Sequence, residues 1–331
     1  MPSSSRRRAV AAAIVLLAGV AAARAEAQQP TQGFAVERFY PSAPTGGWLV
    51  MDSLEMRGGL GGAMALNLSY ARNPLRVTDG VQRLPVVSDQ AFADFGFALT
   101  YRRWRFYVSF DVPLVTTGLS GTVGDHAFTA PSVDLASKPD TVSDPRLGSD
   151  VRLVGGPGSR FRLGAGAQLW IPNGNRPDYT TDDTFRGMIR VLVAGDIGLF
   201  TYAAQLGIHI RPLDDSPAPG SPRGSELLFG VAGGAKLPVG RGRRWAVVVG
   251  PELFGATALR SFFETNATAF EALLSGRFER TGDDDRLQAR LKIGVGAGLD
   301  HRFGAAEWRL VAGIELFGHT PARGHGQPTA D

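Results

Sequence analysis

The sequence predicts an all-β chain closed into an antiparallel transmembrane β-barrel of about twelve strands, with short turns at one end and longer loops at the other. Three observations predict it. Apolar and polar residues alternate over long stretches, an export-type leader opens the chain, and aromatic residues gather near the ends of the alternating segments.

The clearest stretch is RLQARLKIGVGAGL at 286–299. Its odd positions are all apolar, from Leu287 to Leu299, and its even positions are Arg286, Gln288, Arg290, Lys292 and three glycines. Strict alternation scatters apolar residues around a helix but collects them on one face of a strand. Three glycines also disfavour a helix by roughly 1 kcal/mol each. A strand of this length reaches roughly 45 Å, and a tilted membrane strand needs only about 9–11 residues. Turning the face round would set Arg290 and Lys292 against hydrocarbon, at roughly 2–4 kcal/mol each near the midplane. Odd positions are therefore assigned to lipid and even positions to the lumen.

The same pattern returns along the chain. Trp104, Phe106, Val108 and Phe110 alternate with Arg105, Tyr107, Ser109 and Asp111. Phe161, Leu163, Ala165, Ala167 and Leu169 oppose Arg162, Gly164, Gly166 and Gln168. Phe200, Tyr202, Ala204, Leu206 and Ile208 oppose Thr201, Ala203, Gln205, Gly207 and His209. Weaker versions begin near Gly62, Ala91, Leu147, Phe185, Leu227, Trp245, Ala269 and Trp308. The expected strands are 60–77, 89–103, 104–118, 143–154, 160–173, 183–197, 199–213, 224–239, 244–260, 267–280, 286–300 and 306–317. Ten or fourteen strands also fit the pattern. Tight connections at Arg103, 155–159, Gly198, 240–243 and 281–285 alternate with 78–88, 119–142, 174–182, 214–223, 261–266 and 301–305, as in outer-membrane barrels. A soluble β-sandwich alternates too, but it explains neither the leader nor the aromatics. Trp104, Phe161, Phe200, Tyr202, Trp245 and Phe278 fall toward the short-turn end, and Phe185 and Trp308 toward the other, where interfacial girdles lie.

Residues 1–27 read as a cleaved signal peptide. Arg6–Arg8 are followed by an apolar run from Ala9 to Ala23 and by Ala25-Glu26-Ala27. Residues 28–59 form a periplasmic lead-in or a partial plug, 60–317 the barrel and 318–331 a flexible tail. The chain's net charge of +4 owes much to leader arginines, so it gives no reason to expect a nucleic-acid partner. Without cysteine there is neither disulfide nor lipid anchor on Cys. Glycine, 43 of 331 residues, is well above the usual ~7%, which suits many strands and a narrow lumen. The expected location is the bacterial outer membrane, with lipid and lipopolysaccharide as surroundings.

The positions assigned to the lumen are heavily charged. They are Asp94, Arg102, Arg105, Asp111, Asp150, Arg152, Arg162, Gln168, Arg186, Arg190, Asp196, Gln205, His209, Arg211, Glu226, Lys236, Glu271, Arg277, Glu279, Arg286, Gln288, Arg290, Lys292, Arg309 and Glu315. Two readings fit them: a polar pore selecting small solutes by charge, or an internal salt-bridge network that closes the bore.

In detail the chain resembles the barrel portion of OmpA-family outer-membrane proteins. The resemblance rests on LNLSYARNPLRV at 66–77, VSFDVPL at 108–114, DPRLGSDVRLVG at 144–155, LWIPNG at 169–174, GGAKLPVG at 233–240 and IGVGAGLDHRFGAAEWRLVAGIEL at 293–316, with GluArgPhe at 37–39. It implies a barrel and no catalytic signature. Many such proteins continue into a peptidoglycan-binding domain. None is expected here, because the chain ends fourteen residues after Phe317.

No enzyme is expected. Neither His-x-Ser-Asn nor Gly-x-Ser-x-Gly occurs, His209 faces the lumen, and His126 and His301 fall in loops, so a lipid hydrolase is a remote alternative. Asp283–Asp285 lack EF-hand spacing, His319 and His325 flank a glycine-rich tail, and GGPGSRFRLGAG lacks the P-loop lysine. No metal or cofactor is expected. The expected function is a narrow passive pore or a structural envelope barrel. The alternative is adhesion through loops 119–142 and 214–223.

Overall fold

The computed structural model describes residues 29–319, apart from 125, 139–140, 214–223, 241–244, 265–266, 281–286 and 301–303. The predicted signal peptide, the loop at 214–223, Asp283–Asp285, Arg286, His301 and His325 lie outside the described residues.

Twelve antiparallel strands close into a barrel. They are β1 (Leu60–Thr78), β2 (Arg83–Tyr101), β3 (Trp104–Thr117), β4 (Arg146–Val154), β5 (Arg162–Trp170) and β6 (Arg186–Ile197), then β7 (Phe200–Ile210), β8 (Glu226–Val239), β9 (Trp245–Ala258), β10 (Thr268–Arg280), β11 (Leu287–Asp300) and β12 (Trp308–His319). Each strand pairs with its sequence neighbour, and β12 returns to β1 in the register Gly61↔His319 to Arg72↔Trp308. Closure leaves no strand edge, the condition hydrocarbon imposes because lipid supplies no hydrogen-bond partner.

The pleat sorts the two faces. In β11, Leu287, Leu291, Ile293, Val295 and Leu299 are exposed, while Gln288, Arg290, Lys292 and Gly294 are buried. The same holds for Phe95, Phe97 and Leu99 against Asp94 and Thr100 in β2, and for Ile189 and Val191 against Arg190 and Leu192 in β6. The outer wall is an apolar belt with aromatic rims. Trp104 stacks near Phe106, Phe200 near Tyr202 and Trp245 near Phe278, while Trp308 lies 5.0 Å from Tyr70. Phe161 and Phe185 also face outward.

The first hairpin departs from the expected boundaries. Residues 78–88 do not form a long loop: β2 begins at Arg83, and the turn is only 79–82. Asp79 Oδ1 accepts the Val81 and Gln82 N–H groups and closes that turn. The extension has a packing cause. In the extended hairpin, Leu75, Val77, Val86 and Val87 pack with Phe34, Val36, Val123, Phe128 and Tyr179 at the loop end of the bore. Loop 119–142 supplies two of those side chains. Its segments 121–123 and 126–128 pair with each other, and 126–128 also pairs in parallel with residues 29–30. The loop lies over the mouth. Arg102 is a second correction. It does not face the lumen but occupies the β2–β3 turn at φ 56°, its guanidinium 5.3 Å from the Tyr101 ring centroid.

Candidate functional site

The lumen is filled by the chain's own N-terminal segment. Residues 29–36 lie at the loop end, against 126–128, Tyr179 and Asp182. Residues 39–51 descend through the middle, and Leu54 and Met56 reach the short-turn end beside Arg152. The segment, called the plug from here on, forms no strand with the wall. Its main-chain groups are satisfied instead by wall side chains, because a buried peptide group without a partner is costly.

Glu252, in the middle of β9, is the central anchor. Its carboxylate is fully buried and accepts the N–H groups of Leu49 at 2.8 Å, Val50 at 2.8 Å and Met51 at 3.2 Å. Arg152 donates to the carbonyls of Leu54 and Met56, and Lys292 to that of Trp48. Around these bonds the plug seats apolar side chains where the wall has glycine. A Cβ on Gly230 would stand 2.3 Å from the Met51 methyl, and one on Gly294 would stand 2.3 Å from a Leu49 methyl. The inward glycines of β8 and β11 are thus the sockets into which the plug fits. Leu49, Val50 and Met51 then join Trp48, Phe39, Val248, Phe254, Leu273 and Val311 in one apolar cluster.

Side-chain charges connect plug and wall at both ends. Near the turn end, Arg105 bonds both Asp52 of the plug and Asp150 of β4, and Arg190 meets the same Asp150 at 2.8 Å. Beside them, Gln168 and Arg190 both donate to the Tyr107 hydroxyl, and Gln205 accepts from Arg190. A second group joins Glu279 to Arg290, Arg277 and Lys236, and Glu315 to Arg290 and Lys292. At the loop end, Arg309 binds Glu271 at 2.9 Å and the plug's Glu37 at 3.0 Å. Arg38 reaches Glu226 at 2.8 Å, and Arg211 clamps Glu226 and Asp182. Arg186 pairs with Asp144 there, while Arg162 pairs with Asp196 at the turn end. Burial removes water from most of these groups, so each of those depends on its partner for solvation.

The structure therefore places Asp94, Arg105, Asp111, Asp150, Arg152, Arg162, Gln168, Arg186, Arg190, Asp196, Gln205, His209, Arg211, Glu226, Lys236, Glu271, Arg277, Gln288, Arg290, Lys292, Arg309 and Glu315 on the inner side of the wall. His209 lies between Trp170 and the plug's Tyr40, with ring centroids 4.7 and 5.8 Å away. Sequence reasoning missed Glu252, although it holds an even, inward position in β9. It also missed Arg146 in β4 and the plug and loop partners Glu37, Arg38, Asp52, Glu55, Asp144 and Asp182.

With the plug in place, little space remains. The chamber between Glu37, Phe39, Tyr40 and Pro41 of the plug and the inner faces of β1–β3 has a volume of about 30 Å³. Among the described residues, the plug packs against the inward face of the wall along the bore.

No protein-family model matches the chain, and neither does any curated protein sequence. Among solved structures it is similar to an outer-membrane channel of Pseudomonas putida F1, at 12% identity over 79% of this chain and 95% of that one, with a TM-score of 0.48. It is also similar to the NanC porin, at 6% identity over 78% and 99% of the two chains and a TM-score of 0.43. A FadL homologue of Pseudomonas aeruginosa aligns at 9% identity over 86% and 96%, with a TM-score of 0.37. These are distant barrel likenesses, and OmpA-family identity is not among the findings.

Proposed function

We propose that the protein is an outer-membrane channel for passive diffusion of small solutes, held shut in this conformation by its own N-terminal plug. One observation carries the reading. The buried charges of the wall take many of their partners from a chain segment that is not part of the wall, and that segment is joined to it only at Gly58–Gly59. Both glycines have positive φ, 77° and 61°, a backbone few other residues adopt without strain. Withdrawing the plug would leave a closed cylinder with a polar, charge-lined bore, whose solvated surface would admit small polar solutes. The barrel needs no cofactor for this role, and OmpA-family membership is not required.

The test separates wall from plug. A protease site placed at Gly58–Gly59 lets the plug be cut and then washed out in mild denaturant. Uncut protein in planar bilayers should conduct poorly, and the emptied barrel should conduct well and swell liposomes with small solutes. An emptied barrel that keeps its heat-modifiable gel mobility yet stays impermeable would sink the channel reading.

The seating of Leu49 and Met51 in glycine sockets favours one other reading, a permanently filled barrel that stiffens the envelope. In that case the cut plug should resist removal up to the denaturant concentration that unfolds the wall.

A further inference from the structure

We infer that the chamber between the plug and strands β1–β3 binds one partly hydrated divalent cation, calcium or magnesium, through Asp94 and Asp111. The two residues are register partners on β2 and β3, both on the lumen side, and both line the chamber. Asp94 is 5% exposed, and its Oδ1 accepts from Asn67 Nδ2 at 2.9 Å. Its Oδ2 is buried, has no partner and belongs to a residue lining the chamber.

That arrangement is the exception in this lumen. Glu37, Asp52, Asp144, Asp150, Asp182, Asp196, Glu226, Glu271, Glu279 and Glu315 each have an arginine or lysine within ion-pair distance. Glu252 has three main-chain N–H groups. Among the described residues, Asp94 and Asp111 have no such cation. Arg146 acts on Asp111 from farther off, while its own guanidinium donates to the Pro41 carbonyl and the Ser109 hydroxyl. The plug's Glu37 faces the same chamber and adds negative charge, though Arg309 holds it. Asp144 and Arg186, also on the chamber wall, neutralise each other. Two adjoining carboxylates of like charge, out of water, call for a positive partner.

Size and chemistry select the partner. A chamber of about 30 Å³ has room for an ion with one or two waters, not for a sugar or an amino acid. Beside Asp94 its spare polar groups include oxygens, while the spare Nε and Nη1 of Arg186 belong to a guanidinium already paired with Asp144. Ser69 and Ser143 line it beside the two carboxyls, and the Ser143 Oγ is buried without a partner. Oxygen donors suit hard cations, and magnesium in particular keeps several waters while taking one or two carboxylates. No three His, Cys, Asp or Glu side chains converge among the described residues, so water and hydroxyl groups complete the shell. Phe39, Tyr40 and Pro41 form the opposite wall of the chamber, so a bound ion lies against the upper plug. This inference does not depend on the channel reading.

The experiment uses the whole chain, refolded in detergent and stripped with EDTA. Calcium and magnesium chloride are titrated calorimetrically, and terbium is titrated with excitation through tryptophan, since Trp170 lines the chamber. One ion per chain is expected, with sensitised terbium emission that excess calcium quenches. D94N and D111N should each weaken binding at least tenfold while retaining heat-modifiable mobility. Absence of binding at millimolar ion would overturn the inference, leaving the carboxyls to share a proton. Binding that survives both substitutions would overturn it too, since the ion then sits elsewhere. If neither variant folds, wild-type terbium emission decides alone: none at stoichiometric ion overturns the site.

Discussion

The lower and upper halves of the plug differ in how far main-chain bonds and charge pairs share the hold on them. The lower half, Trp48 to Met56, is gripped chiefly by its main chain, with the charge pairs Asp52 to Arg105 and Glu55 to Arg290 beside it. Glu252 takes three of its N–H groups, Arg152 and Lys292 reach three of its carbonyls, and its side chains fill glycine sockets. The upper half, Ala35 to Pro41, combines the charge pairs Glu37 to Arg309 and Arg38 to Glu226 with main-chain bonds from Ala35 to Asp182 and Arg211 and from Pro41 to Arg146. Around it lie a chamber and several unpartnered polar atoms, among them the Tyr40 hydroxyl and both His209 nitrogens. Main-chain anchoring fixes position without long flexible partners, whereas charge pairs depend on titration and on what water reaches them. The lower half is the lock, and the upper half is the part able to respond to ions and protons.

Glu252→Ala tests the lock most severely. It strands three buried N–H groups, each at about 1–3 kcal/mol, so a loss on the order of 3–6 kcal/mol is expected in urea unfolding. Channel current should also rise, as the middle of the plug loses its hold. Glu37→Gln, which leaves Arg309 its bond to Glu271, should lower stability by about 1 kcal/mol. Equal losses from the two substitutions would abolish the distinction between the halves.

Next in size comes the fit of the sockets. Gly230→Leu drives new atoms into Met51, and overpacking of this kind costs about 1–3 kcal/mol. Gly62 offers the control. A Cβ there meets open space on the outer face, so Gly62→Ala should leave unfolding unchanged. A Gly230→Leu barrel as stable and as closed as wild type would mean that the glycines are not seats for the plug.

How far the sequence discloses this arrangement follows from the same physics. The wall was legible because its period is two: one slip of register would turn Arg290 and Lys292 outward, so the faces of β11 had a single solution. The length of β2 was less legible. Leu84, Val86 and Val87 continue the strand to cover the mouth rather than to meet lipid, and such packing leaves no alternation of its own. Glu252 sat in an alternating segment, yet its neighbours Gly250 and Phe254 gave its face no charged company, so only its contact with the plug reveals its role. The plug was the least legible part. Residues 31–57 have no period, since they adopt neither helix nor strand, and their partners lie far away in sequence, as with Leu49 and Glu252, 203 positions apart. The inward glycines were readable as relief from crowding, but what crowded them was not.

The smallest expected effect concerns pH and the upper half alone. Asp182, in the β5–β6 connection, accepts the Ala35 N–H at 2.9 Å and two bonds from Arg211. Burial by itself would raise its carboxyl, but the charges of Arg211 and Arg186 and these hydrogen bonds outweigh it and hold the group well below the usual carboxylate range. A depressed value means that the stabilisation is complete above the unfolded aspartate value, about 4, and fades as pH falls below it toward the folded value. Hydrogen exchange at Ala35 should therefore be slow and steady from pH 7 to about 5, once corrected for intrinsic rates. Below about pH 4 it should accelerate as Asp182 takes up a proton and Arg211 lets go. Asp182→Asn should show the faster exchange already at pH 7, with the acid step much reduced. If that step persists unchanged in Asp182→Asn, the proton acts at another carboxyl, and the upper half does not owe its acid response to this clamp.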